Sequence, residues 1–208
     1  LPLKRRQSVL DSKYLNLHQQ LLRSFIDKGR ILNREEIAAL VDGVDLAIQA
    51  LTDGGLVILS QSGELSGAYP FTMEARMHKI KINNQLIHAM CALDSLAASP
   101  MFGRAAEIES HCCVSGKPVR ILQSSDGGIE SVKPGDIYFV IDWGAFSEGT
   151  ICADSLCLEM NFIAGEIQAE QWLNEGRDRR EIFSLPDAVE FSSRFFVPLL
   201  ISGDYSLK

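Results

Sequence analysis

From Tyr14 to Lys28, apolar residues recur at Tyr14, Leu17, Leu21 and Phe25, with Leu22 and Ile26 one place over, and the run stops at Lys28-Gly29. That spacing predicts an amphipathic helix with a glycine stop. Asn33, with Glu36 three residues on, has the form of a capping box opening a short helix through Ile37, Leu40 and Val41 that ends at Asp42-Gly43. A second short helix follows over Asp45–Leu51, then Gly54-Gly55, a strand at Leu56–Leu59 and a turn at Gln61-Ser62-Gly63. Helix, short helix, turn, short helix and hairpin is the layout of a winged helix-turn-helix. The segment in the recognition-helix position, Val44–Asp53, carries two Asp and no Lys or Arg. Groove binding draws most of its affinity from basic contacts to phosphate, so the unit reads as structural and not as a DNA reader.

The pattern changes around Gly67-Ala68-Tyr69-Pro70, which divides the chain into a winged-helix-like N-terminal unit, residues 1–66, and a second unit, residues 67–208. Beyond it strands dominate. His78, Ile80 and Ile82 alternate with Lys79 and Lys81, and Asn83-Asn84 turns the chain into an apolar stretch, Ile87–Leu96, read as a helix that Pro100 ends. Ala106, Ile108, Ser110 and Cys112 fall on one face of a strand, opposite Glu107, Glu109 and His111. Turns at residues 114–118 and 126–128 flank a strand at Val119–Leu122, and Asp136–Trp143 is apolar enough for a buried strand. Leu156–Ile163 alternates with period two, putting Leu156, Leu158, Met160 and Phe162 on one face and Cys157 on the other beside Glu159 and Asn161. A helix near Gln168–Glu175 and another opened by Ser184-Leu185-Pro186-Asp187 complete the chain as cover for the sheet. The fold class is therefore α+β, with a mostly antiparallel sheet covered by helices.

Composition narrows the function. At 208 residues with 46% hydrophobic and 23% charged positions, the chain suits one domain, or a small domain beside a larger one. No apolar run has the length of a membrane span, and the basic start Leu1–Arg6 leads into Gln7 and Ser8 instead of a signal-peptide core, so a cytoplasmic setting is expected. Five cysteines without a secretory signal read as reduced thiols. A net charge of −7 argues against nucleic acid as the main partner.

The chemistry concentrates at two cysteines. In a helix, Cys91 and Asp94 would be neighbours on one face, roughly 5–6 Å apart at Cβ. A thiol beside a carboxylate is a nucleophile with a proton carrier. A buried, inert thiol beside a surface carboxylate has the same signature, so these two residues leave both readings open. His88, one turn before Cys91 in this reading, is a solvated position or a group that tunes the thiol. Cys157, on the polar side of its strand, is placed to line a site, with a satisfied edge residue as the bland reading. Cys112 reads as core, and His111-Cys112-Cys113 is a weak metal signal because adjacent strand residues do not converge on one ion. Cys152 has less to recommend it.

Between Leu17 and Phe196 the chain resembles the alkylmercury lyase family. The resemblance rests on Ala68–Thr72, on Ala89–Leu96, on Ser110-His111-Cys112 with Gly116–Val119, and on Cys157 ahead of Asn161–Ala164 and Ala169–Trp172. It implies a winged-helix-like bundle beside an α+β core, and it assigns the family's two cysteines and one aspartate to Cys91, Asp94 and Cys157. The activity implied is protonolysis of a carbon–mercury bond, leaving Hg(II) on Cys91 and Cys157 with Asp94 as a weak further ligand. No cofactor is expected; thiols act as co-substrates for mercury release, and the implied partners are organomercury compounds, small-molecule thiols and a mercuric reductase. Leu158 stands where well-known members carry a second cysteine, and Glu159 where a histidine often stands, a departure that bears on substrate range and product handoff. The competing readings are a non-catalytic soft-metal-binding protein and a metal-responsive winged-helix regulator.

Overall fold

The computed structural model describes residues 3–146 and 155–201. Helix α1 (Leu3–Ser8) leads into α2 (Ser12–Lys28), α3 (Arg34–Ala38) and α4 (Val44–Asp53). The stop of α2 is the expected one: Gly29 takes a left-handed φ of 67° and its N–H bonds the Phe25 carbonyl. The capping box at Asn33 and Glu36 is present on both sides.

The sheet that follows has eight antiparallel strands. In chain order they are β1 (Val57–Leu59), β2 (Leu65–Ala68), β3 (Phe71–Thr72), β4 (His78–Ile82), β5 (Gln85–Ala89), β6 (Ala106–His111), β7 (Pro118–Gln123) and β8 (Ile129–Lys133), and across the sheet they run β1-β2-β3-β5-β4-β6-β7-β8. The β1–β2 hairpin joins the sheet directly through the pairing of β2 with β3. A second, three-stranded antiparallel sheet holds β9 (Ile137–Asp142) between β10 (Met160–Ala164) and β11 (Arg180–Ser184). The two sheets touch at a bridge between Cys112 and Phe162. Helices α6 (Glu166–Asn174) and α7 (Leu185–Phe196) pack on the smaller sheet.

The helix that matters most is α5 (Ala92–Phe102), packed against β4, β5, β6, β10 and α7. Every residue from Ala92 to Ser99 is buried, so the helix is apolar or small all round and carries almost no amphipathic signal. Its start corrects the helix expected over Ile87–Leu96. Asn83 and Asn84 adopt left-handed φ values of 50° and 62°, the two-residue loop that closes a hairpin, and the chain returns along β4 as a strand with Ile80 opposite Ile87. The helix begins only at Ala92. Its end is also later than Pro100: the proline lies inside α5, and the Leu96 carbonyl four residues back, which a proline cannot serve, accepts instead from the Gln123 side chain at 3.2 Å.

Strand β11 has no counterpart in the elements expected from sequence, and Leu156–Glu159 is a 3₁₀ turn instead of the first half of a strand. The turn exchanges two neighbours, with Leu158 52% exposed and Cys157 only 2%, while Leu156, Met160 and Phe162 are buried as expected.

Candidate active site

Cys91 sits at the junction of β5 and α5 as the N-cap of the helix, with extended backbone angles (φ −147°, ψ 178°). Its Sγ accepts the N–H of Asp94 at 3.5 Å, the bond a serine or aspartate makes in the same position. Cys91 and Asp94 therefore meet as N-cap and N3, not as neighbours on one helix face. The spacing of three brings them together for a different local reason than the periodicity suggested.

The register of β4 and β5 delivers Cys91 to this point. His78 pairs with Ala89 at the end of the hairpin, and the N–H of Met90 bonds the Pro70 carbonyl at 3.3 Å, tying the cysteine's neighbour to the β2–β3 turn. From the other side, the 3₁₀ turn ahead of β10 points Cys157 inward. The ligand atoms of Cys91, Asp94 and Cys157 lie within 4.8 Å of one another, and all three residues are buried. Two thiols and a carboxylate, two of them from the start of α5 and one from the turn ahead of β10, thus form one buried cluster.

The tyrosine of the β2–β3 turn joins them. Tyr69, 2% exposed, brings its hydroxyl to 3.3 Å from the Cys157 sulfur. The sequence alone marks no role for Tyr69, although it lies in the Ala68–Thr72 segment that carries part of the family resemblance. A contact spanning 88 positions leaves no local periodicity to read.

Electrostatics favour a protonated Cys91 in the resting protein. Burial pushes its thiol up to about 12; a hydrogen bond with Cys157 works against the rise, the charge of Asp94 adds to it, and the Asp94 amide opposes it. Ionising it at neutral pH with no cation to take the proton's place costs on the order of 7 kcal/mol. An arriving soft cation changes that balance, because it exchanges for the proton and leaves no bare thiolate buried.

The other candidates lie apart from this cluster. His88 is on β5, where its Nδ1 accepts the Arg76 N–H at 3.1 Å. His78 is buried in β4, 2.9 Å from the Ser110 hydroxyl and edge-on to Phe162. Cys112 is buried, and its sulfur accepts the N–H groups of Ala164 at 3.3 Å and Ser115 at 3.4 Å. Burial raises its thiol, but those amides outweigh the effect and leave it lowered. Cys112 thereby fastens the end of β6 to the end of β10, while Cys113 is exposed. Cys152 lies outside the described residues.

Comparison with known proteins bears on the family and the fold. Residues 71–197, more than half of the chain, match the family model for MerB, alkylmercury lyase. An alkylmercury lyase of Staphylococcus epidermidis is 28% identical over 160 residues, covering 75% of this chain and 70% of its own length. One from Streptomyces lividans is 25% identical over 184 residues, covering 88% and 83%. A crystal structure of the mercury-bound form of MerB2 superposes with a TM-score of 0.77 over 95% of this chain and 98% of its own, at 17% identity, a likeness of fold. On the strength of the matched family model and these relatives, the chain belongs to the alkylmercury lyase family.

Proposed function

We propose that this protein cleaves the carbon–mercury bond of organomercurials by protonolysis, with Cys91, Asp94 and Cys157 as its working residues. The observation that carries the reading is the convergence of two thiols and one carboxylate within 4.8 Å in a buried cluster. Thiolates are the soft ligands that suit Hg(II), and a carboxylate within reach supplies what a pure binding site does not need, a proton carrier.

The organomercury cation exchanges for the proton on Cys91 and forms the first sulfur–mercury bond. Asp94 accepts the proton of Cys157, whose thiolate, held by the Tyr69 hydroxyl donating to it, attacks mercury as a second ligand. Electron donation from two sulfurs weakens the carbon–mercury bond. The carbon departs with the bonding pair and takes the proton from Asp94, giving a hydrocarbon and Hg(II) bound to both sulfurs. Oxidation states do not change, so the chain's own residues suffice and no redox cofactor is called for.

Release proceeds by ligand exchange with competing thiols, from small molecules or from the cysteines of a mercuric reductase, in a cytoplasmic setting. Leu158 offers no neighbouring thiol, so mercury passes from Cys157 straight to the acceptor. The segment 1–66 is read as a winged-helix-like support for the catalytic unit, residues 67–208, with no part in binding nucleic acid; α4 presents Asp45 and Asp53 and no basic side chain. No described helix is long and apolar enough to cross a membrane.

The test is headspace hydrocarbon from methylmercury or phenylmercury with excess thiol. Methane or benzene is expected from the parent and not from Cys157→Ser. A folded parent that binds Hg(II) but yields no hydrocarbon would leave a binding protein in place of the enzyme.

A further inference from the structure

A third sulfur lies beside the same buried cluster. The Sδ of Met160, a residue 3% exposed, is 3.7 Å from the Cys91 sulfur, and the geometry has the Cys91 thiol donating to the thioether. The reason lies in the turn that precedes it. The N–H of Met160 bonds the Cys157 carbonyl and closes a 3₁₀ turn, in which side chains three apart eclipse one another. Cys157 and Met160 therefore face the same way, toward Cys91, while Leu158 and Glu159 face solvent.

We infer that Met160 is a third soft ligand for the mercury held by Cys91 and Cys157, an inference that rests on the function proposed above. A cation that binds the Cys91 sulfur takes the place of the thiol proton. The thioether sulfur, 3.7 Å from the Cys91 sulfur, is then within reach of the cation. Thioether sulfur is soft and polarisable, matched to Hg(II) in a way the carboxylate of Asp94 is not. The bond is dative: Sδ contributes its lone pair, no proton leaves, and the charge of the site is unchanged. With three sulfurs on the product ion instead of two, an incoming thiol has one more donor to displace. Met160 thus acts on retention and handoff of Hg(II) more than on carbon–mercury cleavage.

The experiment compares the parent, Met160→Leu and Cys157→Ser, each loaded with one equivalent of Hg(II) and titrated with a competing small dithiol, reading the mercury retained on the protein. Met160→Leu should give up mercury at a dithiol concentration lower by on the order of tenfold, as is typical when a supporting contact to a metal is lost. In parallel, selenomethionine-labelled parent read at the selenium absorption edge should acquire a mercury neighbour on loading. This second measurement uses the native side-chain shape, and repeating it on labelled Met90→Leu, which should keep the mercury neighbour, assigns the contact to Met160 even if Met160→Leu does not fold. Equal titration midpoints for parent and Met160→Leu, with no mercury neighbour at selenium, would remove Met160 from the coordination sphere and leave the two-cysteine site standing. A parent that loses mercury as readily as Cys157→Ser would overturn the two-cysteine site and the third ligand together.

Discussion

Replacing Asp94 by Asn separates the two things its carboxylate does. As a charge, it opposes ionisation of Cys91; as a base and acid, it moves the proton to carbon. With the ligand atoms no more than 4.8 Å apart, a carboxylate and a thiolate repel by roughly 3 kcal/mol at an effective dielectric of ~20. Removing that repulsion lowers the Cys91 thiol by about two pH units from its value of about 12, still well above neutrality because burial is the larger cause. The thiolate fraction at a given alkaline pH rises about a hundredfold, while the less basic sulfur is a weaker nucleophile, leaving alkylation of Cys91 about tenfold faster. Hydrocarbon release moves the opposite way, down by about 10²–10⁴-fold, the usual worth of a placed proton donor. The assay pairs peptide-resolved alkylation of Cys91 with benzene release from phenylmercury in one turnover. Asp94→Asn should react faster at sulfur and slower at carbon. Benzene release within a few-fold of the parent would refute the proton-carrying role, and slower alkylation would refute the electrostatic one.

Tyr69→Phe removes a hydroxyl 3.3 Å from the Cys157 sulfur. A hydrogen bond to a charged group is worth about 1.5–3 kcal/mol, so cleavage should slow by about tenfold or more at neutral pH and the acidic limb of the pH–rate profile should move upward; a superimposable profile would discard the contact as functional. Gly67→Ala would bring a methyl group to 2.9 Å from the Phe71 carbonyl and 3.1 Å from the Met90 methyl, beneath the turn that carries Tyr69. A loss of about 1–3 kcal/mol in urea unfolding is expected, and unchanged stability would mean that β2 and β3 approach less closely. Burial lowers His18 and His78 to about 4 each, so both are neutral when folded and gain protons on unfolding. Their contribution is complete above about pH 6.5 and is lost as pH falls toward 4, roughly 3 kcal/mol per residue. Urea midpoints across that window should fall, and a flat profile would contradict the neutral burial of both rings.

Much of the frame was legible because its signals are local. Helix α2 announces itself by period and by Gly29, α3 by Asn33 with Glu36, and β6 by the alternation that puts Cys112 inside. The start of α5 was hidden twice over. Its N-cap is a cysteine instead of Ser, Thr, Asp or Asn, and its sequence lacks a polar face because β4, β5, β6, β10 and α7 enclose it. The 3₁₀ turn at Leu156–Glu159 is masked in the sequence because its leucines imitate strand alternation, although Leu158 faces solvent. The cysteines and the aspartate could be named from sequence, since thiols and carboxylates declare their chemistry. The Tyr69 and Met160 contacts could not, because they depend on a β-turn and a 3₁₀ turn brought against Cys91 and Cys157 by the tertiary fold.

The most direct test of the central claim is a single turnover without added thiol. Protein is mixed with less than one equivalent of phenylmercury, benzene is measured in the headspace, and retained mercury and the alkylation of Cys91 and Cys157 are measured on the same sample. The account predicts one benzene and one retained Hg(II) per phenylmercury consumed, with both cysteines protected together. Benzene formed at the parent's rate by Cys157→Ser, or mercury retained with Cys157 still open to alkylation, would contradict it.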